Sequence, residues 1–493
     1  MIHSIRTVSF TRMLPAFLFV ASLVVAASPC TAAQPDAPQV SDSGRLWLAG
    51  EHHIHSRYSV GLDKSTEPPT SVIGGPDGEP YPIPMNAVMA KYFGLSWMVS
   101  TDHGGPNHSK VNLEKAYPEL VQSRAVVPEV IQFYGMELNP PASDHASLIV
   151  PHSDHEHHML FSIESGYDKN EVWPRDPNRD TEEKMIEALK FMSGLSPIPV
   201  VIANHPSRSA EGLGVYGQDR PDELRNWNDA APNVAVGMEG APGHQASAIN
   251  PDGSVDPDGV RGSYRKHPTM GGYDQMTARL GGFWDSMLGE GRRWWVTADS
   301  DSHVNWREGG SDFWPGEYTK TYVFAAKNHD DILDGIRNGR IFVTTGDLIS
   351  ELYVTAAAAG AEASIGRALP IPGRSDVKVT IRLRDPAGPN HRGVNPQVAR
   401  VDLIVGEITG PLADCTQDTN PTTRVVRRFT PDDWSREGEH LTMTHTLKGV
   451  HHSSYVRVRG TNTSELEPTP DPKGEDPWSD LWFYSNPIFI EVR

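Results

Sequence analysis

LWLAGEHHIHSRYSVG, residues 46–61, begins as an apolar run and ends with three histidines in four positions. On an extended chain, residues two apart share a face. His53 and His55 therefore project together, while His52 and Ile54 face the other way. An apolar run closed by metal-ligating side chains is the pattern that decides the fold, because it recurs down the next 250 residues.

The runs are Leu46–Ala49, Trp97–Ser100, Ile131–Met136, Ser147–Val150, Ile198–Ala203, Val234–Met238, Trp294–Ala298 and Thr321–Ala325. Continuous apolar runs suit strands covered on both faces, as in a parallel sheet or barrel. Helices are expected between them. In DTEEKMIEALKFMSG, Asp180 or Thr181 caps a stripe of Met185, Ile186, Leu189 and Met192. In HDDILDGIRNGR, Asp330 caps a stripe of Ile332, Leu333 and Ile336, and Gly339 ends it. Residues 206–270, rich in Gly and Pro, read as an active-site insertion or lid. After about 350 the period becomes two: Val377, Val379, Ile381 and Leu383 alternate in DVKVTIRLRD, and HLTMTHTLKG and SYVRVRG do likewise. The expected organisation is a leader at 1–33, an α/β unit at 34–350 and an antiparallel β-sandwich at 351–493.

Polar chemistry collects at the ends of the runs. Asp102 and His103 follow Trp97–Ser100, Glu137 follows Met136, and His145 precedes the run at 147. His205 and Arg208 follow Ala203, and Asp301 and His303 follow Ala298 at same-face spacing. In α/β barrels the carboxyl ends of the strands open onto one face, where sites assemble. A single strand-end histidine is ordinarily structural, whereas delivery of His, Asp or Glu at five strand ends points to metal ions.

The ordered set HIH (53–55), TDH (101–103), GME (135–137), NHP (204–206) and DSH (301–303) resembles the PHP (polymerase and histidinol phosphatase) superfamily over about 300 residues. The resemblance implies a distorted (β/α)7 barrel holding two or three divalent ions. By position, the implied ligands are His53, His55, His103, Glu137, His145, His205, Asp301 and His303, with Glu137 bridging two ions. ILDGIRNGRIFVTTGD, followed by a β-region ending in WFYSNPIFI, is similar to the carbaryl hydrolase-like (CehA/McbA) branch of that superfamily. One position departs from the pattern: Val60 stands where many members carry an aspartate for a third ion. Asp63, a candidate substitute, reads as a surface residue, so two ions are expected rather than three.

Imidazole and carboxylate donors suit Zn²⁺, Mn²⁺ or Fe²⁺. Two ions bridged by Glu137 would acidify a shared water at neutral pH. Asp301 is the candidate to orient and deprotonate that water, with His205 counted among the catalytic residues. Arg208 is the candidate clamp for an anionic substrate. Glu239 and His244 are candidates to line the pocket, and Trp227, Trp306 and Trp314 to shape an aromatic substrate site. HSDHEHH (152–158) reads as a solvated loop, and NPDGSVDPDGVRG as turns without EF-hand spacing.

Arg6 and Arg12, the apolar stretch 14–27 and Thr31-Ala32-Ala33 read as a signal peptide cleaved near Ala33, which implies an exported, periplasmic or secreted protein. Cleavage would remove Cys30, leave Cys415 without an intramolecular partner, and take the formal charge from −19 to −21. That acidity opposes bulk nucleic-acid binding. No later stretch is long and apolar enough for a membrane span, and a small-molecule substrate is expected. The leading expectation is a metal-dependent hydrolase of phosphoesters. Two alternatives stand beside it: ester or carbamate cleavage of the carbaryl hydrolase type, and a non-catalytic metal- or carbohydrate-binding protein. Oligomeric state is not legible.

Overall fold

The computed structural model describes residues 44–63, 65, 70–74, 81–264 and 266–493. The leader-like segment and Cys30 lie outside these residues. Cys415 is disulfide-bonded in the uncleaved chain; the expectation of a lone thiol concerns the chain after removal of residues 1–33.

Each of the eight apolar runs is a strand: Leu46–Glu51, Trp97–Ser100, Ile131–Leu138, His145–Val150, Val200–Asn204, Ala235–Ala241, Trp295–Ala298 and Thr319–Ala325. Every residue of Val200–Asn204 and Ala235–Ala241 is buried, which is why these stretches show no alternation. The first seven strands lie side by side in chain order. All neighbours among them are parallel except those of His145–Val150, which runs antiparallel to both Ile131–Leu138 and Val200–Asn204. The sheet curls until extensions of its first and last members meet at the bridge Ile54–Ser302, where His55 N donates to Ser302 O at 2.9 Å. That bridge, not a ladder, joins them among the described residues. The architecture is thus mixed α/β, and the closed (β/α)7 barrel is not reproduced as a continuous ring of paired strands.

The helix Glu182–Ser193 is capped by Thr181, whose hydroxyl accepts from Lys184 N at 3.2 Å, and it buries Met185, Leu189 and Met192. His329–Arg337 is capped by Asn328 rather than Asp330. Residues 206–270 are not one loop, since the helix Pro221–Ala230 and the strand Ala235–Ala241 lie within them. HSDHEHH is half loop and half the first turn of the helix Glu156–Tyr167.

Beyond 350, Glu351–Ala358, Ser375–Arg384 and His440–Val450 form the centre of a five-stranded antiparallel sheet. Val377, Val379, Ile381 and Leu383 are buried on its inner face. The remaining strands there do not make an independent layer. Trp482–Ser485 pairs with Ile341–Thr345, so one sheet runs on from the α/β strands into this region.

Away from the histidine-rich centre, His108 is fully buried between Glu164 Oε1 (2.7 Å) and Tyr58 O (2.8 Å). Burial alone would lower this imidazole, but the Glu164 carboxylate lifts it to about 9. A folded value above the unfolded one gives stability that is complete below about pH 6.5 and lost as pH rises towards 9, about 3 kcal/mol in all. The prediction is that His108→Gln is less stable than wild type at pH 6 and that the gap closes by pH 9, read from denaturant midpoints. A gap that stays constant with pH would refute it.

Candidate metal centre

The strand ends deliver their side chains to one point. His53 and His55 leave the end of Leu46–Glu51, His103 follows Trp97–Ser100, and Glu137 stands near the end of Ile131–Leu138. His145 begins its strand instead of ending it. Because that strand alone is reversed, its amino end lies beside the carboxyl ends of its neighbours, with Ser147 opposite Glu137 and His145 opposite Asn204. His205, Asp301 and His303 arrive from the ends of Val200–Asn204 and Trp295–Ala298.

Glu137 sits at the middle, fully buried. Its Oε1 lies 3.1 Å from His53 Nε2, 2.9 Å from His145 Nδ1 and 3.2 Å from His205 Nε2. Its Oε2 lies 2.6 Å from His103 Nδ1 and 3.5 Å from His55 Nε2. Asp301 Oδ1 approaches His53 Nε2 at 3.0 Å and His55 Nε2 at 2.9 Å. Donor atoms within 4.8 Å of one another fall into overlapping groups: His53, His55, Glu137 and Asp301; His103, Glu137 and His145; and His55, His103 and His303. His205 belongs to none of these and joins the centre through Glu137.

These residues fit divalent ions on the geometry of their own atoms. His53 Nε2 and His55 Nε2 face each other at 3.0 Å, where only one of them can carry a proton. Glu137 Oε2 and His145 Nδ1 are buried and lie close to opposite charges, yet neither makes a hydrogen bond. Side chains converging on a shared electrophile have this appearance, and those optimised for one another do not.

The electrostatics say the same. Burial would raise the Glu137 carboxyl, but His103, His145 and His53 hold it well below the usual carboxylate range. Burial likewise opposes ionisation of Asp301, and His53, His244 and His303 overcome it. Burial would neutralise His53, yet Asp301, Glu137 and Glu239 keep it well above the usual imidazole value. His55 is pushed well below that value by burial and by the neighbouring His303 and His103 rings, and His103 falls to about 4 chiefly through burial. Imidazolium charge on His53 thus balances carboxylates where a cation would do so.

A surrounding layer fixes the donors. Glu239 Oε1 takes His53 Nδ1 at 2.6 Å, and Ser59 Oγ takes His55 Nδ1 at 2.8 Å. Asp102 is not among the grouped donors; it accepts from Ser56 Oγ at 2.8 Å and Ser59 Oγ at 3.1 Å, holding the loop that carries His55. Asp144 Oδ1 accepts from Arg208 Nη2 at 2.8 Å, and Asp312 Oδ1 holds His244 Nδ1. His244 Nε2 then faces Asp301 Oδ2 at 3.0 Å. Such partners set ring orientation and tautomer around metal ligands. His205, Asp301 and His244 all adopt left-handed backbone, with φ of 31°, 46° and 57°, strain of the kind that clusters at functional sites.

His52, on the opposite face, is fully buried and bonds Thr297 Oγ1 at 2.8 Å; it forms a separate group with Glu239 and Asp299. Val60 packs beside Gly105 and offers no donor, and Asp63 accepts from Ser65 Oγ at 2.6 Å instead of reaching the centre. None of the three tryptophans lines the cavity beside Arg208 and His244. Trp227 is 0% exposed, Trp306 6% and Trp314 5%; the first two belong to the core, and Trp314 packs on Tyr81 at 4.3 Å. Asp312 and Asp144 escaped sequence reasoning. Asp144 adjoins His145, a signal that was present; Asp312 lies in the loop GGSDFWPGE, which carries none.

Gly243 fits tightly against Asp301. A Cβ there would stand 2.1 Å from Asp301 Cβ and 2.4 Å from Ser300 O, atoms that no side-chain rotation removes. Gly243→Ala is expected to weaken metal retention or turnover by about 10–100-fold, the range seen when groups orienting ligands are disturbed. Metal titration checks it, and wild-type affinity together with a wild-type rate would refute it.

No protein-family model matches the chain, and no curated protein matches it. Among solved structures it is similar to a two-domain protein containing a predicted PHP-like metal-dependent phosphoesterase from Bacteroides vulgatus ATCC 8482. The identity is 14%, the match covers 89% of this chain and 98% of that one, and the TM-score is 0.33. Among the described residues no helix is long and apolar enough to cross a membrane.

Proposed function

We propose that this chain is a metal-dependent phosphoesterase of the PHP type, with residues 34–350 as the hydrolase unit and 351–493 as a β-sandwich supporting it. The observation that carries the proposal is Glu137, a buried carboxylate shared by two groups of converging donors, His53, His55 and Asp301 on the one hand and His103 and His145 on the other. His53, His55, Glu137 and Asp301 would hold one divalent ion, and Glu137 with His103, His145 and His205 a second. Zn²⁺, Mn²⁺ or Fe²⁺ suits this donor set. Bound there, such ions supply Lewis acidity and a nucleophilic water at neutral pH.

The chain's own residues supply the rest. Asp301, whose Oδ2 faces His244 Nε2 at 3.0 Å, would orient and deprotonate the water. Arg208 lines a cavity of about 530 Å³ that His244 also lines. Asp144 grips one end of its guanidinium and leaves other N–H groups for a phosphoryl oxygen. This favours an anionic substrate over the carbamate alternative, whose aromatic pocket the buried tryptophans do not supply. A small-molecule substrate, export and no bulk nucleic-acid binding complete the proposal; the formal charge of −19 supports the last.

The test combines metal analysis with turnover of p-nitrophenyl phosphate, bis-p-nitrophenyl phosphate, p-nitrophenyl acetate and 1-naphthyl methylcarbamate in Mn²⁺ or Zn²⁺. Two ions per chain and cleavage of phosphoesters are expected. Fewer than one bound ion, or cleavage confined to the acetate and carbamate, would overturn it.

A further inference from the structure

The cavity beside the centre is unusual in what lines it. Small-molecule pockets of this size are walled mostly by hydrophobic and aromatic side chains. Here the walls are Arg208, Ser209, Glu211, His244, Ser263, Lys266 and Ser311, with Ala210 the one apolar residue among them. Among the described residues no aromatic ring other than the His244 imidazole lines it, and Trp306 and Trp314 are buried. An aryl or acyl group entering this space would meet the aliphatic stems of these residues but leave their hydroxyls and charged ends without partners. A ligand carrying several hydroxyls would supply those partners.

We infer that the substrate is the phosphate monoester of a polyol or sugar, with the phosphoryl group at the metal centre and the hydroxylated part in this cavity. The inference rests on the phosphoesterase reading and adds the identity of the leaving group. The volume of about 530 Å³ accommodates a moiety of several carbons bearing hydroxyls. Glu211 and Lys266 pair with each other at the rim, with 60% and 64% of their side chains exposed. Pairs so exposed are weak, so both can turn to ligand hydroxyls, the carboxylate accepting and the ammonium donating. In the reaction a water oxygen bonds to phosphorus and the phosphorus–alkoxide bond breaks. One water proton passes to the departing alkoxide, giving the free polyol and inorganic phosphate.

Aryl phosphates carry the better leaving group, so chemistry alone favours them and selectivity in the other direction must come from the walls. The experiment compares kcat/KM of the metal-loaded protein for glycerol 3-phosphate, glucose 6-phosphate, phenyl phosphate and 1-naphthyl phosphate. At least one of the first two is expected to exceed both aryl esters by about 10-fold or more. Ser263→Ala and Glu211→Ala are expected to lose more on the hydroxylated esters than on phenyl phosphate. Aryl esters cleaved as well as or better than the polyol esters would overturn the inference and leave the phosphoesterase reading standing. Metal-loaded protein that cleaves none of the four would overturn both. Equal losses on both ester classes in the two variants would also overturn the inference, because the walls would then not discriminate.

Discussion

Glu137→Gln is expected to leave no turnover above background and to strip at least one divalent ion from each chain. Glutamine keeps the shape of the side chain but replaces one carboxylate oxygen with an NH₂ group, which has no lone pair to offer. Whichever way the amide turns, either the nitrogens of His145 and His205, or that of His103, would face a donor instead of an anion. Either way the donor set of the second proposed ion would be broken, and both proposed sites would lose the negative charge that Glu137 shares between them. The carboxylate is fully buried, so water cannot stand in for the missing oxygen. Metal content by mass spectrometry and phosphoester turnover both read the effect. A variant that keeps two ions and a wild-type rate would place the reactive centre elsewhere. Glu137→Asp serves as a companion: it retains both oxygens on a shorter stem, and partial metal retention would show that bridging, not merely charge, is at stake.

What could be read from the chain beforehand follows from how each feature is encoded. Val200–Asn204 and Ala235–Ala241 were legible because burial on both faces demands uninterrupted apolar side chains. The donors were legible because strand geometry puts whatever follows such a run at one end of the sheet, and His53, His103, Glu137, His205 and Asp301 all follow one. Features set by tertiary partnership were not legible. Asp312 holds His244 across 68 residues of chain from a loop without period, and neither end signals the other. The reversal of His145–Val150 is a choice of neighbour, and an apolar strand looks the same in either direction. The helix at 329 has Asx residues at 328, 330 and 331, and local chemistry does not say which of them turns back to cap it. The break near 350 was visible as a change of period. That Trp482–Ser485 would pair with Ile341–Thr345, carrying one sheet across the break, was not, because alternation names a face and not a partner edge.

That continuity makes the seam between the α/β strands and the C-terminal strands a determinant of stability, and Asp285→Ala tests it most severely. Asp285 lies in the helix Phe283–Gly289, and its partner Arg457 lies in the strand Ser454–Thr461; each is 1% exposed. The carboxylate takes Arg457 Nε at 2.8 Å and Nη2 at 2.7 Å, Tyr455 OH at 3.0 Å and Gly281 N at 2.7 Å. Alanine would leave a guanidinium with no counter-charge in a site from which water is excluded, and Gly281 N–H without its acceptor, while Tyr455 OH would keep Thr423 Oγ1 at 2.7 Å. Breaking a buried pair from one side costs about 3–5 kcal/mol, far more than the net stability the pair contributes. The expected result is a loss of that size in the first denaturant transition. Because the penalty is for the stranded charge, Asp285→Leu combined with Arg457→Met should recover much of it, as apolar replacements of whole buried pairs often do. A single-variant loss below about 1 kcal/mol would mean that Arg457 finds water on its own, and a double variant no better than the single would mean that the hydrogen bonds to Tyr455 and Gly281, rather than the charge, hold the seam closed.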